Sequence, residues 1–361
     1  MDASHPPRFL TAAGIVTGAL LMATAGGAAR VDGLAGAQPP AAGRPPAPPA
    51  PAWTATLARA LDRLARQARP GVFAVGVADL ATGQTVGVAL DRPVPMQSVF
   101  KALLGALVLA EVDAGRLALD SAVVLTRADL APPYSPVADA WPGRARYTVA
   151  ELLESAVGTS DNTAADVLMR LVGGPAAVTR FLRAHGIAGV RVDRYEREFQ
   201  PQSVGLGPFQ EAWIGEAAFT RALAAVPLAR RRAALRAYLA DLRDTATPRG
   251  ALAFLRALHA GRLLSPASTA RLLDVMTRTG TGARRLKAGL PAGAALAHKT
   301  GAGRTEQGVN AATNDIGLVT LPDGRRFAVA AFLAGSTAPD SAREALFAAA
   351  ARLAAAAVPG P

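Results

Sequence analysis

Residues 100–115, FKALLGALVLAEVDAG, hold one polar side chain, Lys101, among their first eleven positions and end on a helix-stopping glycine, Gly115. A helix that is apolar on every face has no side to offer water, so it belongs at the centre of a domain with other elements packed round it. The chain can build that surround. It has 361 residues, of which 51% are hydrophobic and 18% charged, a globular balance rather than a disordered one.

The first fifty residues stand apart from this body. Arg8 precedes an apolar run, Phe9 to Ala29, broken by small residues and ending in ATAGGAARVDG. Residues 1–30 therefore read as an export signal. An uncleaved anchor is the competing reading, which the Gly and Thr content weakens. Residues 31–52 are Pro/Ala-rich without an apolar period, an extended linker. The expected location is periplasmic or secreted, without stable membrane insertion once the signal is removed.

From Trp53 the pattern becomes structural. Leu57, Leu61 and Leu64 recur at helical spacing, and residues 71–90 read as two strands about the turn Thr82-Gly83-Gln84. Helical segments follow through 148–188 and 213–286. Strands return in NDIGLVTL and RRFAVAAFLAG about Pro322-Asp323-Gly324, and a helix closes the chain from about Ser341 to Ala357. The expected fold is α/β of the α+β kind: residues 53–92 and 287–358 form an antiparallel sheet flanked by helices, and residues 93–286 form an inserted all-helical domain. There is no internal repeat.

Composition excludes several functions. The formal charge is +12, but Arg is scattered and only 18 residues are aromatic, so no basic stripe with interleaved aromatics marks a nucleic-acid surface. There is no Cys, and His5, His185, His259 and His298 lie far apart, so neither a disulfide nor a metal site is expected. No cofactor is called for, and a monomer is the expected state.

Of 39 basic residues only Lys101, Lys287 and Lys299 are lysine. Arg cannot release its proton in a protein, whereas Lys can if burial or a neighbouring cation lowers its pKa. Ser98 lies three residues before Lys101, and residues three apart share a helix face, so the pair can form an activated nucleophile. Taken alone, S-x-x-K is equally a chance spacing with a solvated Lys. Ser160-Asp161-Asn162 opens another helical segment, and plain capping would explain all three. Lys299-Thr300-Gly301 sits where a strand should begin; an edge-strand Lys that discourages aggregation is the bland reading. Gly301 and Gly303 would let a ligand's backbone come close.

S-x-x-K, S-D-N and K-T-G in this order resemble the signature of penicillin-recognising serine enzymes, the class A β-lactamases and penicillin-binding proteins. The spacings are similar to those of class A, and the blocks RPVPMQSVFK, PPYSPV, RDTATP, AGLPAG and NDIGLVTLPDG agree, so the resemblance runs from about Leu57 to the C-terminus. It implies a β-lactam substrate and the following roles. Ser98 is the nucleophile. Lys101 accepts or relays its proton. Ser160 passes a proton to the leaving nitrogen, with Lys299 holding its hydroxyl. Asn162 binds the substrate's side-chain amide, Thr300 its carboxylate, and Tyr134 forms a wall. The N–H groups of Ser98 and Ala302 form the oxyanion hole. Arg285, with Arg284 next, is the cation for the carboxylate; a surface Arg at a helix end is the alternative. Lys287 is a surface residue or a backup cation.

Turnover needs a base that aims water at the acyl-enzyme. The resemblance gives that role to Glu196 in DRYEREFQ, on an Ω loop closed by Arg194 and Asp244. Three features depart from the family pattern. Arg197 follows Glu196 where the family commonly has a cis Pro peptide, Gln200 replaces an Asn that shares the water, and 49 residues separate Arg194 from Asp244, well beyond the usual Ω loop of roughly 6–16. The excess, 201–243, reads as one or two amphipathic helices, and its run Arg230-Arg231-Arg232 as a solvated face. A related exported serine hydrolase, a DD-peptidase or esterase that clears β-lactams slowly, is the alternative. A penicillin-sensing module is a third reading, disfavoured because no regulator or transmembrane partner domain accompanies the sequence.

Overall fold

The computed structural model describes residues 52–360, so the leader expected over 1–30 and the linker over 31–52, apart from Ala52, lie outside the described residues. The chain begins with helix α1 (Ala52–Gln67), which buries Leu57, Leu61 and Leu64 as their spacing predicts. Strands β1 (Val72–Asp79) and β2 (Thr85–Val88) form the expected hairpin, with Gly83 at φ +76° in its turn. Three strands come from the far end of the chain: β3 (Ala295–Ala302), β4 (Val309–Thr320) and β5 (Arg326–Ser336). The order is β2-β1-β5-β4-β3, antiparallel at every pairing, and Thr305–Glu306 adds a short sixth strand on β4. The register Val72↔Ala334 to Asp79↔Phe327 joins the first and last parts of the chain.

Between the two halves of the sheet lie α2 (Phe100–Asp113), α3 (Asn162–Leu171), α4 (Glu196–Ser203), α5 (Glu216–Ala224), α6 (Leu228–Ala240), α7 (Pro248–His259) and α8 (Pro266–Arg278), with shorter helices among them. Helix α9 (Asp340–Ala357) closes the chain. Both faces of the sheet are covered, so β1, β4 and β5 are buried along nearly their whole length instead of alternating. On one face α1 and α9 pack with Phe73, Phe327 and Leu333; the Phe73 and Phe347 rings meet edge-on at 5.3 Å. On the other, α7 lies against β1 and β5, and its Leu252 belongs to the same continuous core as Phe332 and the residues of α2. The sheet and the helical block thus share one interior. Every residue of α2 from Phe100 to Leu109 is buried, Lys101 included, which is what its apolar run requires.

The segment from Arg194 to Asp244 folds back on itself. The Arg194 guanidinium meets the Asp244 carboxylate at 2.6 Å and that of Asp241 at 3.2 Å, and Asp244 also accepts the Asp193 N–H. The chain beyond the neck, Thr245–Ala246, pairs with Val94–Pro95 just before Ser98. The one or two amphipathic helices expected in this stretch form as two, α5 and α6, of which α6 has no continuous apolar face and fully buries Tyr238 alone. The expected solvated Arg run holds for Arg230 and Arg232 but fails at Arg231, which is half-buried and pairs with Glu306 at 3.5 Å.

Among the described residues no helix is long and apolar enough to cross a membrane. One contact shows how closely the layers approach. A Cβ on Gly289 would stand 1.8 Å from the Ala348 carbonyl oxygen of α9, backbone that cannot turn aside. Gly289→Ala is expected to lower the unfolding free energy by about 3 kcal/mol, while Gly207→Ala, which meets nothing within 4 Å, leaves it within about 0.5 kcal/mol. Urea unfolding of the two variants checks this.

Candidate active site

A cavity of about 620 Å³ opens between the helical block and the end of β3, and Ser98, Tyr134, Ser160, Asn162, Gln200, Arg285, Thr300 and Ala302 all line it. Ser98 sits on the 3₁₀ turn Gln97–Val99 that leads into α2. Gln97 holds φ +48°, a left-handed conformation that costs a non-glycine residue about 1–3 kcal/mol. The surroundings hold the turn in place. Met96 N–H donates to Asp244 O at 3.1 Å, and Asn314 Nδ2 donates to Pro95 O at 2.9 Å. Gly301 does not line the cavity. A Cβ there would lie 2.5 Å from Met96 O and 3.0 Å from Gln97 Cβ, so its bare backbone serves the approach of β3 to this turn rather than that of a ligand.

Lys101 has no solvent exposure, so each of its ammonium donors must find an acceptor inside the protein. Nζ donates to Ser160 O at 2.7 Å and to Asn162 Oδ1 at 2.5 Å, and Glu196 Oε1 lies 3.2 Å away. The last contact is a charge pairing without hydrogen-bond alignment, since Glu196 Oε1 has no aligned donor among the described residues.

Both readings of Ser160-Asp161-Asn162 hold, divided between its residues. Asp161 is the N-cap of α3 and accepts from Ala164 N at 2.8 Å; it is fully buried and also takes Val137 N–H and the Ser135 hydroxyl. That cap frees its neighbours. Ser160, at φ +66°, aims its carbonyl at Lys101 and presents its hydroxyl to Lys299 Nζ at 2.9 Å. Asn162 gives its oxygen to Lys101 and one N–H to Pro132 O at 3.1 Å.

Lys299 is no solvated edge residue, although β3 is an edge strand: it has no exposure. Burial, with the Lys101 charge adding to it, pushes its pKa well below the ordinary lysine value. Thr300 Oγ1 donates to Thr281 Oγ1 at 2.8 Å. Arg285 reaches the cavity and donates to Gly301 O and Asn314 O at 3.1 and 2.9 Å, while its buried Nε stays unpartnered with the Glu344 carboxylate 3.7 Å away. Arg284 turns outward to Glu344, and Lys287 is exposed. Tyr134 is 57% exposed at the mouth.

Glu196 is the first residue of α4 and is 1% exposed. Its Oε2 accepts from Gln200 Nε2, one turn on, at 2.8 Å. Cis peptides occur among the described residues at Arg69–Pro70, Pro133–Tyr134 and Trp141–Pro142, so Glu196–Arg197 is trans, as a non-Pro bond prefers. The two successive N–H groups then point at one side chain: Asp166 accepts from Glu196 N at 2.7 Å and from Arg197 N at 2.9 Å.

Residues 56–358 match the profile of the beta-lactamase enzyme family. The chain belongs to that family. Over 256 residues it is 34% identical to the extended-spectrum beta-lactamase PER-1 of Pseudomonas aeruginosa, covering 70% of this chain and 72% of that one. It is 33% identical over 283 residues to a beta-lactamase of Streptomyces albus G, covering 77% and 76%. Among solved structures it resembles the last common ancestor of Gram-negative bacteria beta-lactamase class A, with TM-score 0.67 and 38% identity over 84% of this chain and 99% of that one. A beta-lactamase from Chitinophaga pinensis gives TM-score 0.69 and 31% identity over 84% and 99%.

Several residues of this family member's site were not singled out from its sequence: Gln97, Asp166, Tyr238, Thr281 and Glu216. Asp166 carried a signal, being a carboxylate one helical turn beyond Asn162 in a buried helix. Gln97 and Tyr238 carried none, because their contact spans 141 positions. Glu216 meets Arg304 at 2.8 Å on the cavity wall, and the Arg304 guanidinium stacks 5.0 Å over the Phe219 ring.

Asp166 explains how the trans peptide is tolerated. Two converging N–H groups need two oxygens that can accept; an aspartic acid keeps both, its hydroxyl oxygen still carrying a lone pair, whereas asparagine puts an NH₂ in place of one of them. Burial, then the neighbouring Glu196 charge, pushes its pKa up from 3.8 to about 8. The folded protein therefore keeps a proton that the unfolded chain releases. The stability gained is complete below pH 3.8 and is lost as pH rises through about 8. Asp166→Asn is expected to lose about 1–3 kcal/mol at pH 6, with a smaller deficit at pH 9 because the variant has no such group to ionise. Urea melts of both proteins at the two pH values test this; parallel curves would contradict it.

Proposed function

We propose that this chain hydrolyses the amide bond of β-lactams through an ester on Ser98, with water delivered by Glu196. The observation that carries the reading is the Glu196 carboxylate. One oxygen is fixed by Gln200, and the other, beside the Lys101 ammonium, has no aligned protein donor. A buried carboxylate oxygen of this kind is suited to orient a water.

Acylation follows from the same set. Ser98 Oγ attacks the lactam carbonyl carbon and loses its proton through a bridging water to the Glu196 carboxylate; the Lys101 ammonium beside it relays a proton on towards Ser160 and is refilled from Glu196, which leaves Glu196 ionised again. The developing oxyanion takes hydrogen bonds from the N–H groups of Ser98 and Ala302, both on the cavity wall. The C–N bond breaks as the Ser160 hydroxyl gives its proton to the ring nitrogen. Lys299 Nζ, 2.9 Å from that hydroxyl, holds it in place for the transfer. Thr300, Thr281 and Arg285 surround the position for the substrate carboxylate; Asn162 keeps one N–H for the substrate's amide. Water then adds to the ester, Glu196 takes its proton, and Ser98 is released with the ring-opened acid. The leader-like first thirty residues favour export of the enzyme to the periplasm or medium, as a monomer.

Glu196→Gln is expected to acylate within about tenfold of wild type and to turn over about 10³-fold more slowly, leaving a Ser98 adduct visible by intact mass. Undiminished turnover would overturn the reading. A wild type that itself stalls as a stable adduct would favour the slow-clearing peptidase or esterase. Lys101→Arg is expected to lose about 10²–10⁴-fold in acylation rate, measured by single-turnover formation of the same adduct.

A further inference from the structure

We infer that Tyr238, on α6, is a positioning residue for the Glu196 carboxylate, acting through Gln97 and Gln200; this rests on the reading of Glu196 as the base.

Tyr238 is the one fully buried residue of α6, with Arg231, Leu235 and Leu239 half-buried on the same helix. Its ring packs on Phe199 of α4, centroids 5.4 Å apart, between Glu196 and Gln200 in sequence. Its hydroxyl accepts from Gln97 Nε2 at 2.7 Å. Gln97 Oε1 in turn faces Gln200 Nε2 at 3.5 Å, and that same nitrogen donates to Glu196 Oε2 at 2.8 Å. The charge of Glu196 sets the polarity of the whole line. A carboxylate must face the Gln200 NH₂ and not its oxygen. That NH₂ then needs the Gln97 oxygen, which turns the Gln97 NH₂ towards Tyr238. With its hydroxyl fully buried, the phenol is pushed well above its ordinary pKa, so it stays a neutral partner throughout.

The line meets a need created by Gln200 itself. Glutamine has one more rotatable bond than asparagine, and each free rotor blurs the position of the amide that fixes Glu196. Gln97 has little freedom, because its backbone is held at φ +48° and Gly301 of β3 and Gly303 just beyond its end close over it: a Cβ on Gly301 would lie 3.0 Å from Gln97 Cβ, and one on Gly303 3.2 Å from Gln97 Nε2. Tyr238 removes the remaining freedom at its end. The ion pair Arg231–Glu306 and the Arg194 guanidinium, 5.0 Å over the Phe199 ring, hold α6 and α4 to the site.

The test uses Tyr238→Phe, which deletes one oxygen and keeps the ring on Phe199. Acylation and deacylation of Ser98 by a chromogenic cephalosporin are followed separately, by rapid quench with intact mass and by steady-state turnover. Acylation is expected to stay within about twofold and deacylation to fall about tenfold, so that kcat and KM drop together and kcat/KM holds. Gln97→Met, which breaks the line from its other side, is expected to give the same split, and the two changes combined no more than either alone. Equal losses in both steps, or wild-type deacylation in Tyr238→Phe, would reduce Tyr238 to packing and overturn the inference. Glu196→Gln run in parallel separates the two claims. If it traps the adduct while Tyr238→Phe does not slow, only the present inference fails; if it turns over normally, both fall.

Discussion

A lysine ammonium shut away from water governs this molecule. Lys101 lies in the first turn of a helix that is apolar on all sides, and an isolated charge there would cost far more than the fold can supply. Its three neighbours each depend on a separate piece of architecture. Ser160 O reaches it because the backbone turns left-handed at φ +66°. Asn162 reaches it because Asp161 takes over the capping of α3. Glu196 stays beside it because Asp166 holds the two backbone N–H groups at the start of α4. The groups that satisfy the charge are those to which the proposed chemistry assigns proton transfer and substrate binding.

The same economy extends outward. The strand pair Val94–Pro95 with Thr245–Ala246 ties the entry to Ser98 to the neck of the 194–244 segment, so the nucleophile's turn and the Glu196 helix cannot move independently. Lys299 reaches Ser160 from the opposite side, on a strand whose Gly301 allows the sheet to close on the Gln97 turn. Two buried cations near one hydroxyl repel, which is one cause of the depressed Lys299 pKa. Lysine can occupy such a position because its amine can exist uncharged; a guanidinium cannot.

Much of this was legible in the sequence because it is local or carried by spacing. The apolar run of α2 gave its burial. The apolar strand runs and the turns between them gave the hairpin and the β4–β5 pairing, and the three lysines drew attention to Lys101 and Lys299. The less legible parts are long-range or depend on backbone geometry. Nothing in the letters of Tyr238 and Gln97 says that they touch. The sequence offers Gly301 as room for a ligand, whereas the structure sets Met96 O against it, a contact only the approach of β3 to the turn reveals. Arg231 was assigned to a solvated run, but its position on α6 opposite Glu306 half-buries it. For Ser160-Asp161-Asn162 the sequence offered capping or chemistry as alternatives; the structure divides them residue by residue.

The central claim is that Glu196 Oε1 and the Ser98 ester share one water beneath the oxyanion position. A crystal structure of Glu196→Gln after exposure to a penicillin tests it most directly. Density continuous with Ser98 Oγ is expected, with the ester oxygen between the N–H groups of Ser98 and Ala302 and a water within hydrogen-bond reach of residue 196 and close to the ester carbon. An adduct on another residue, or an ester with the Glu196 side filled by protein and no room for a water, would contradict it.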